Sequence, residues 1–249
     1  IVLLNKELVK LCNYKPMIEG LKLLADNSSS PIYQLTTAYR FGQRAADYTG
    51  IFYNNSLVAK ESKRYNDLPS LSNILCKDGG PTLILTDMPI GDCTPTFAMY
   101  IVSFIVTNIF KDAKDKEVPV LTCMKKTVST LQMTIAQKVS SRKNLVVDTV
   151  ARVQGLTTDV TIFVVPDYSY IRTLEPRLFN VATSRAKEHT IIIADKYIFD
   201  CSTLDIRVRK YLEKLKANKC IYVPDPEHGL GKVTNILDYQ DSIGRLLFS

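Results

Sequence analysis

Arginine is the side chain best fitted to grip anionic oxygens, because its guanidinium stays protonated and offers a planar fork of donors. Two arginines stand where such a grip is of use. Arg185 lies with Lys187 in LFNVATSRAKEHTIII, which reads as a helix carrying both cations into a buried strand. Arg40 opens a helix-like stretch within LTTAYRFGQRAADYTGIFYNNSL, residues 35–57. A third group, Thr122, Lys125, Thr149 and Arg152, falls on loops that follow strands. There, cations and hydroxyls can take the phosphate backbone of a single nucleic-acid strand through contacts that are mainly electrostatic and independent of sequence.

Each of these residues also has a plainer reading. Arg185 at a helix end can complement the helix dipole and pair with Glu188, and Arg40 can be a surface residue at a basic helix start. Lys125, Lys126 and Arg152 can be solvated charges, Gln154–Gly155 an ordinary turn, and Thr122 and Thr149 strand-end residues.

Other chemistries are excluded by inspection. The chain has no GxSxG elbow, no HExxH and no GxGxxG. A phosphate-binding GxxxxGK[ST] loop is also absent: Gly231–Lys232 is followed by Val233, and Pro226 stands where the first glycine belongs. No metal site is expected, since the two histidines, His189 at a strand edge and His228 in a turn, have no ligands at metal spacing. The six cysteines are far apart, without a CxxC pair, which points to a reducing, cytoplasmic compartment rather than a disulfide framework.

The elements that must position these residues form an alternating series. Apolar, β-branched runs at 82–86, 118–122, 145–149, 160–165 and 190–194 read as buried strands. Helical spacing marks Phe97 to Phe110, Lys126 to Lys138 and Leu174 to Lys187 between most of them. Val146 to Val165 reads as strand, polar turn with Gln154–Gly155, strand. The expected architecture is α/β, three layers with a mainly parallel sheet flanked by helices. Ligands collect at the carboxyl ends of strands in such sheets, so the loops that begin at Thr86, Thr122 and Thr149 are the ones to watch. Ser202 to Lys219 reads as a charged amphipathic helix in a trailing extension. The longest apolar run, Phe97 to Phe110, is too short to span a bilayer, so no membrane partner is expected. With 249 residues, 46% hydrophobic and 23% charged, the chain can bury a full core, and its net charge of +7 favours a polyanionic partner.

Three ordered segments resemble superfamily 1 helicases, in particular the group of RNA-surveillance up-frameshift helicases and related DNA-replication helicase-nucleases, and specifically their second RecA-like motor domain. TAYRF with IFYNNSL is similar to the family's QYRM…FY.G.L and keeps the Tyr-Arg pair, the Phe-Tyr pair and the terminal Leu. Thr149, Val150, Gln154, Gly155, Asp159 and Val160 match TVDxxQGxExDxVI, with a departure at Thr157, where the family has a Glu that holds the nucleotide sugar. Phe179, Asn180, Val181, Ala182, Ser184, Arg185, Ala186 and Lys187 match LNVALTRAKxxLxI. VLTCMKKTV, from Val120 to Val128, looks like VITPYRAQV, whose backbone and Thr groups touch nucleic acid.

The resemblance spans about residues 30–198 and implies a RecA-like fold, with 1–30 connecting to a first motor domain, 31–198 as the second, and 199–249 as a helical extension. It implies Arg40 and Arg185 as catalytic phosphate sensors and Gln154, Gly155, Thr157 and Lys187 as nucleotide-binding residues. Thr122, Lys125, Thr149 and Arg152 would be the single-strand contacts. ATP and Mg²⁺ would be held mainly by the first RecA-like domain of the same polypeptide, so the intact protein would be an ATP-dependent DNA or RNA helicase and this chain alone inactive. The rival expectation is a degenerate RecA-like module that binds nucleic acid or a partner without ATP turnover.

Overall fold

The computed structural model describes residues 36–140, 142–153, 155–167, 169, 174–225, 243–245 and 247. Of the two units into which the chain divides, Ile1–Thr36 and Thr37–Ser249, the described residues belong to the second, save Thr36. The expected connecting segment 1–30, Gln154, His228 and Gly231–Lys232 lie outside them.

Strands β1 (Thr37–Ala38) and β2 (Val58–Ala59) form a two-stranded parallel ribbon around α1 (Gln43–Thr49). The β-branched runs then build the main sheet: β3 (Gly80–Thr86), β4 (Val118–Thr122), β5 (Leu145–Thr149), β6 (Thr158–Val165), β7 (Ala186–Asp195) and β8 (Cys220–Val223). Their order is β5–β4–β6–β7–β3–β8 and every pair is parallel. The central strands read as unbroken apolar runs because both faces are covered.

Residues of alternating parity on each strand feed opposite cores. Val160, Ile162 and Val164 of β6, with Ile84, Val120, Ile191 and Ile193, pack under α2 (Thr96–Asp112) and α3 (Lys125–Ala136). Phe163 and Val165, with Leu83, Leu85, Leu121 and Ile192, pack under α1, α4 (Pro176–Thr183) and α5 (Ile206–Asn218). Helices therefore lie on both faces, and the sheet is the middle layer of an α/β, RecA-like arrangement.

Three details differ from expectation. Leu174 to Lys187 was expected to be helical throughout, but α4 ends at Thr183 and β7 begins at Ala186, so Arg185 sits in the turn between them and Lys187 on a strand. Pairing of Ala186 with Thr158 extends β7 at the expense of local helix propensity. The segment read as a helical extension also supplies a strand: β8 pairs with β3 along Leu83–Thr86, giving β3 a hydrogen-bonded neighbour on each side. His189, expected at a strand edge, is buried inside β7, opposite both Gly80 and Val160.

Candidate functional site

The site residues sort to two ends of the sheet. At the amino end, Arg185 immediately precedes β7, and its carbonyl accepts from Thr158 N at the start of β6. Arg185 Nε donates to the Val181 carbonyl in the last turn of α4 at 2.9 Å, and Nη1 reaches the Leu156 carbonyl at 3.4 Å. Arg40, in the bend before α1, donates from Nη1 to the Ser184 carbonyl at 2.8 Å. Both arginines are therefore gathered on one turn, 144 residues apart in sequence between Arg40 and Ser184.

Their charges interact. Burial, followed by the Arg40 charge, pulls the Arg185 pKa below its ordinary value, against a smaller opposing effect of Tyr53. Arg185 still remains a cation at neutral pH. The alternative ion pair with Glu188 does not form: that carboxylate binds Lys116, which also binds Asp67. Among the described residues neither Arg40 nor Arg185 has an acidic partner, and neither Nη2 has a hydrogen-bond acceptor. The helix-end part of the plainer reading does hold for Arg185, through Val181.

Asn180 and Tyr53 complete this end. Asn180 Nδ2 donates to the Tyr53 hydroxyl at 3.1 Å, while Asn180 Oδ1 is buried without a partner. The Asn180 backbone carbonyl accepts from Ser184 N at 3.0 Å, and its unpaired buried side-chain oxygen marks a place where a donor or water is accommodated. Neither residue was singled out as a site residue from sequence. Both stood in matched motif segments, and that was the signal for them.

Gly155, Thr157 and Lys187 lie at the same end but do different things. Gly155 has φ +97°, a left-handed conformation that favours glycine, and a Cβ there would meet open space, so backbone geometry and not crowding selects it. Thr157 lines a cavity of about 170 Å³ with Glu117, Lys143, Val146 and Leu156. Lys187 forms an ion pair with Asp159 at 3.0 Å. Burial pushes the Asp159 pKa up, but the Glu117 N–H and Lys187 outweigh it and leave the carboxyl below its usual range. Lys187 thus secures the start of β7 to β6.

The nucleic-acid candidates gather at the carboxyl end of β4 and β5, where Thr122 pairs in register with Thr149. Lys125 opens α3, and with Ser129, Gln132, Asp148, Thr149 and Arg152 it lines a polar cavity of about 260 Å³. An adjoining cavity of about 350 Å³ brings in Cys123, Val150 and Leu178. Arg152 is largely exposed and lies 3.5 Å from Asp148. Thr122 does not join this surface through its side chain: it is fully buried and its Oγ1 has no partner.

The β5–β6 connection links the two ends. Extending the β4–β6 register by one residue sets Thr122 beside Val164, six residues beyond Thr158, so Thr149 and Thr158 are separated by about 20 Å along the strands. Val150 and Val153 anchor the connection in the core beneath α4. Among the described residues, no group of three or more His, Cys, Asp or Glu is arranged to hold a metal ion, and no helix is long and apolar enough to cross a membrane.

A family model described as an AAA domain matches residues 18–197. Among solved structures, the C-terminal domain of a possible DNA helicase from Lactobacillus plantarum WCFS1 is similar at 14% identity and a TM-score of 0.44, with 75% of this chain and 98% of that one covered. No curated protein matches the chain.

Proposed function

The chain belongs to the helicase-like AAA domain family, and from that premise we propose that it is the second, C-terminal RecA-like motor domain of an ATP-dependent superfamily 1 helicase of the group that holds the up-frameshift helicases and the DNA-replication helicase-nucleases. The observation that carries this reading is the convergence of Arg40 and Arg185 on one turn, with no acidic partner among the described residues. Two crowded guanidinium groups are costly unless an anion shares them.

ATP, bound with Mg²⁺ mainly by the first RecA-like domain of the same polypeptide, would supply the phosphoanhydride bond whose hydrolysis drives movement. Arg40 and Arg185 would hold its terminal phosphate oxygens, where negative charge is redistributed in the transition state. The Ser184 carbonyl positions Arg40, and the Val181 carbonyl positions Arg185. Lys125, Thr149 and Arg152 would contact single-stranded DNA or RNA at the opposite end, with Thr122 contributing backbone only. Closure of the two domains around nucleotide would alter their grip on the strand.

The test is the ATPase rate of the full-length protein with and without single-stranded polynucleotide. Arg185→Ala is expected to lower the stimulated rate by about 10³ or more while ATP affinity changes far less. An unchanged rate would remove Arg185 from catalysis. Thr157, which offers no carboxylate for a nucleotide sugar, favours a second reading as a module that binds nucleic acid without turnover. A full-length protein that binds polynucleotide but never hydrolyses ATP would establish it.

A further inference from the structure

The carboxyl edge of the main sheet carries a second exposed feature, three to five strand positions from β5. Tyr222, near the end of β8, is 48% exposed, and Tyr197, just after β7, is 50% exposed. Lys196 lies between them, with Nζ 4.8 Å from the Tyr197 ring centroid and 5.9 Å from that of Tyr222. Asp87, at the end of β3, accepts from the Tyr222 hydroxyl at 2.9 and 3.1 Å and pairs with Lys196 at 2.5 Å. Both the tyrosine and the lysine are thereby pinned. The carboxylates of Asp87, Asp167 and Asp195 are buried, so the accessible groups here are the two tyrosines and part of Lys196, beside the half-buried Asp225, whose N–H donates to Asp87.

These rings stand on the same edge as Lys125, Thr149 and Arg152. The register runs from Thr122 through Val164 and Ile193 to Ile84, and Thr86 pairs with both Asp195 and Val223 two residues further on. Neighbouring strands lie about 4.8 Å apart, so β5 to β8 spans about 24 Å across the edge. One end of that span offers cations and hydroxyls for a phosphate backbone. The other offers exposed aromatic faces with a cation beside them, the chemistry on which unpaired bases stack without regard to sequence.

We propose that Tyr197 and Tyr222, bracketed by Lys196, form a base-stacking platform that extends the single-strand path along the carboxyl edge of the sheet. The proposal rests on the reading of this edge as a nucleic-acid surface and adds the residues that grip bases rather than phosphates. Each stacked base is expected to raise affinity about 5- to 150-fold.

The experiment compares binding of an oligothymidylate of about 12 nucleotides with an abasic strand of equal length, which keeps the phosphates and lacks the bases. The full chain is expected to prefer the oligothymidylate at least fivefold. Tyr197→Ala and Tyr222→Ala should each reduce that preference without altering abasic affinity, whereas Tyr197→Phe, which keeps the ring, should preserve it. Equal affinity for the two strands, or a preference that survives both alanine substitutions, overturns the platform and leaves the phosphate surface standing. Failure to bind either strand overturns the nucleic-acid reading of the edge and the platform with it.

Discussion

Arg40 holds the turn that presents Arg185: its Nη1 donates to the carbonyl of Ser184, the residue immediately before Arg185, at 2.8 Å. The bond places two like charges in one half-buried corner, and the Arg185 pKa falls in response to burial first and Arg40 second. Such a corner is stable as a pair of cations only at some cost, and an anion with several oxygens relieves it.

Inorganic pyrophosphate is therefore expected to raise the melting temperature of this chain by mass action. Saturation at about 100 times Kd would contribute about 2.7 kcal/mol, or several degrees for a domain of this size. Arg40→Gln and Arg185→Gln should each abolish the shift, whereas Lys187→Gln should leave it, since that ammonium is committed to Asp159. Differential scanning fluorimetry across a pyrophosphate titration reads it directly. A shift retained in both arginine variants would place the anion elsewhere.

ATP hydrolysis by the 249-residue chain on its own should not exceed background. Arg40 and Arg185 can stabilise a phosphate but do not activate water, and the sequence holds no GxxxxGK[ST] loop to cradle a triphosphate. A phosphate-release assay with added polynucleotide is the check. Turnover abolished by Arg185→Ala in this chain alone would show that these residues form a complete active site.

Salt dependence separates the two kinds of residue at the carboxyl edge of β4 and β5. Arg152→Ala and Lys125→Ala should each flatten the plot of log affinity against log salt by about 0.7 per lost phosphate contact on a single strand. Thr122→Val should leave both affinity and slope unchanged, because the Thr122 hydroxyl is buried without a partner. Removing that unpaired hydroxyl at constant shape is expected to stabilise the fold by about 1 kcal/mol. Affinity lost in Thr122→Val at normal stability would mean the side chain is exposed when the strand binds.

The inner strands were legible in sequence because burial on both faces imposes continuous apolar runs, and β4 falls on the expected residues; β5 also falls where expected, through its β-branched run, although it is an edge strand whose residues are only partly buried. Arg185 was misplaced onto a helix because Ala, Lys and Glu around it favour helix locally, and only the partner strand β6 reveals that β7 has already begun. The Arg40–Ser184 and Tyr53–Asn180 bonds join residues more than 120 positions apart, which no local pattern encodes. The Tyr197–Lys196–Tyr222 cluster depends on β8 lying beside β3, a pairing hidden in a tail that read as a helical extension.

The dependence of stability on pH should hold two opposing contributions that nearly cancel between pH 4 and 6.5. His189 is buried in β7, and burial depresses its pKa to about 4, so the native state keeps it neutral where the unfolded chain protonates it. Its contribution of about 3 kcal/mol is present above pH 6.5 and disappears as pH falls toward 4. Asp195 behaves in the reverse sense. Burial, ahead of the nearby Asp167 carboxylate, raises its pKa to about 6, while the surrounding backbone N–H groups offset only part of the effect. The native state holds that proton where the unfolded chain has released it, so this contribution is complete below about pH 3.8 and lost as pH rises through 6. Asp195→Asn should therefore expose a stability that climbs with pH through this window, and His189→Gln one that declines. Urea unfolding of the two variants at half-unit pH steps measures both slopes, and parallel profiles in the two would remove one of these groups from the account.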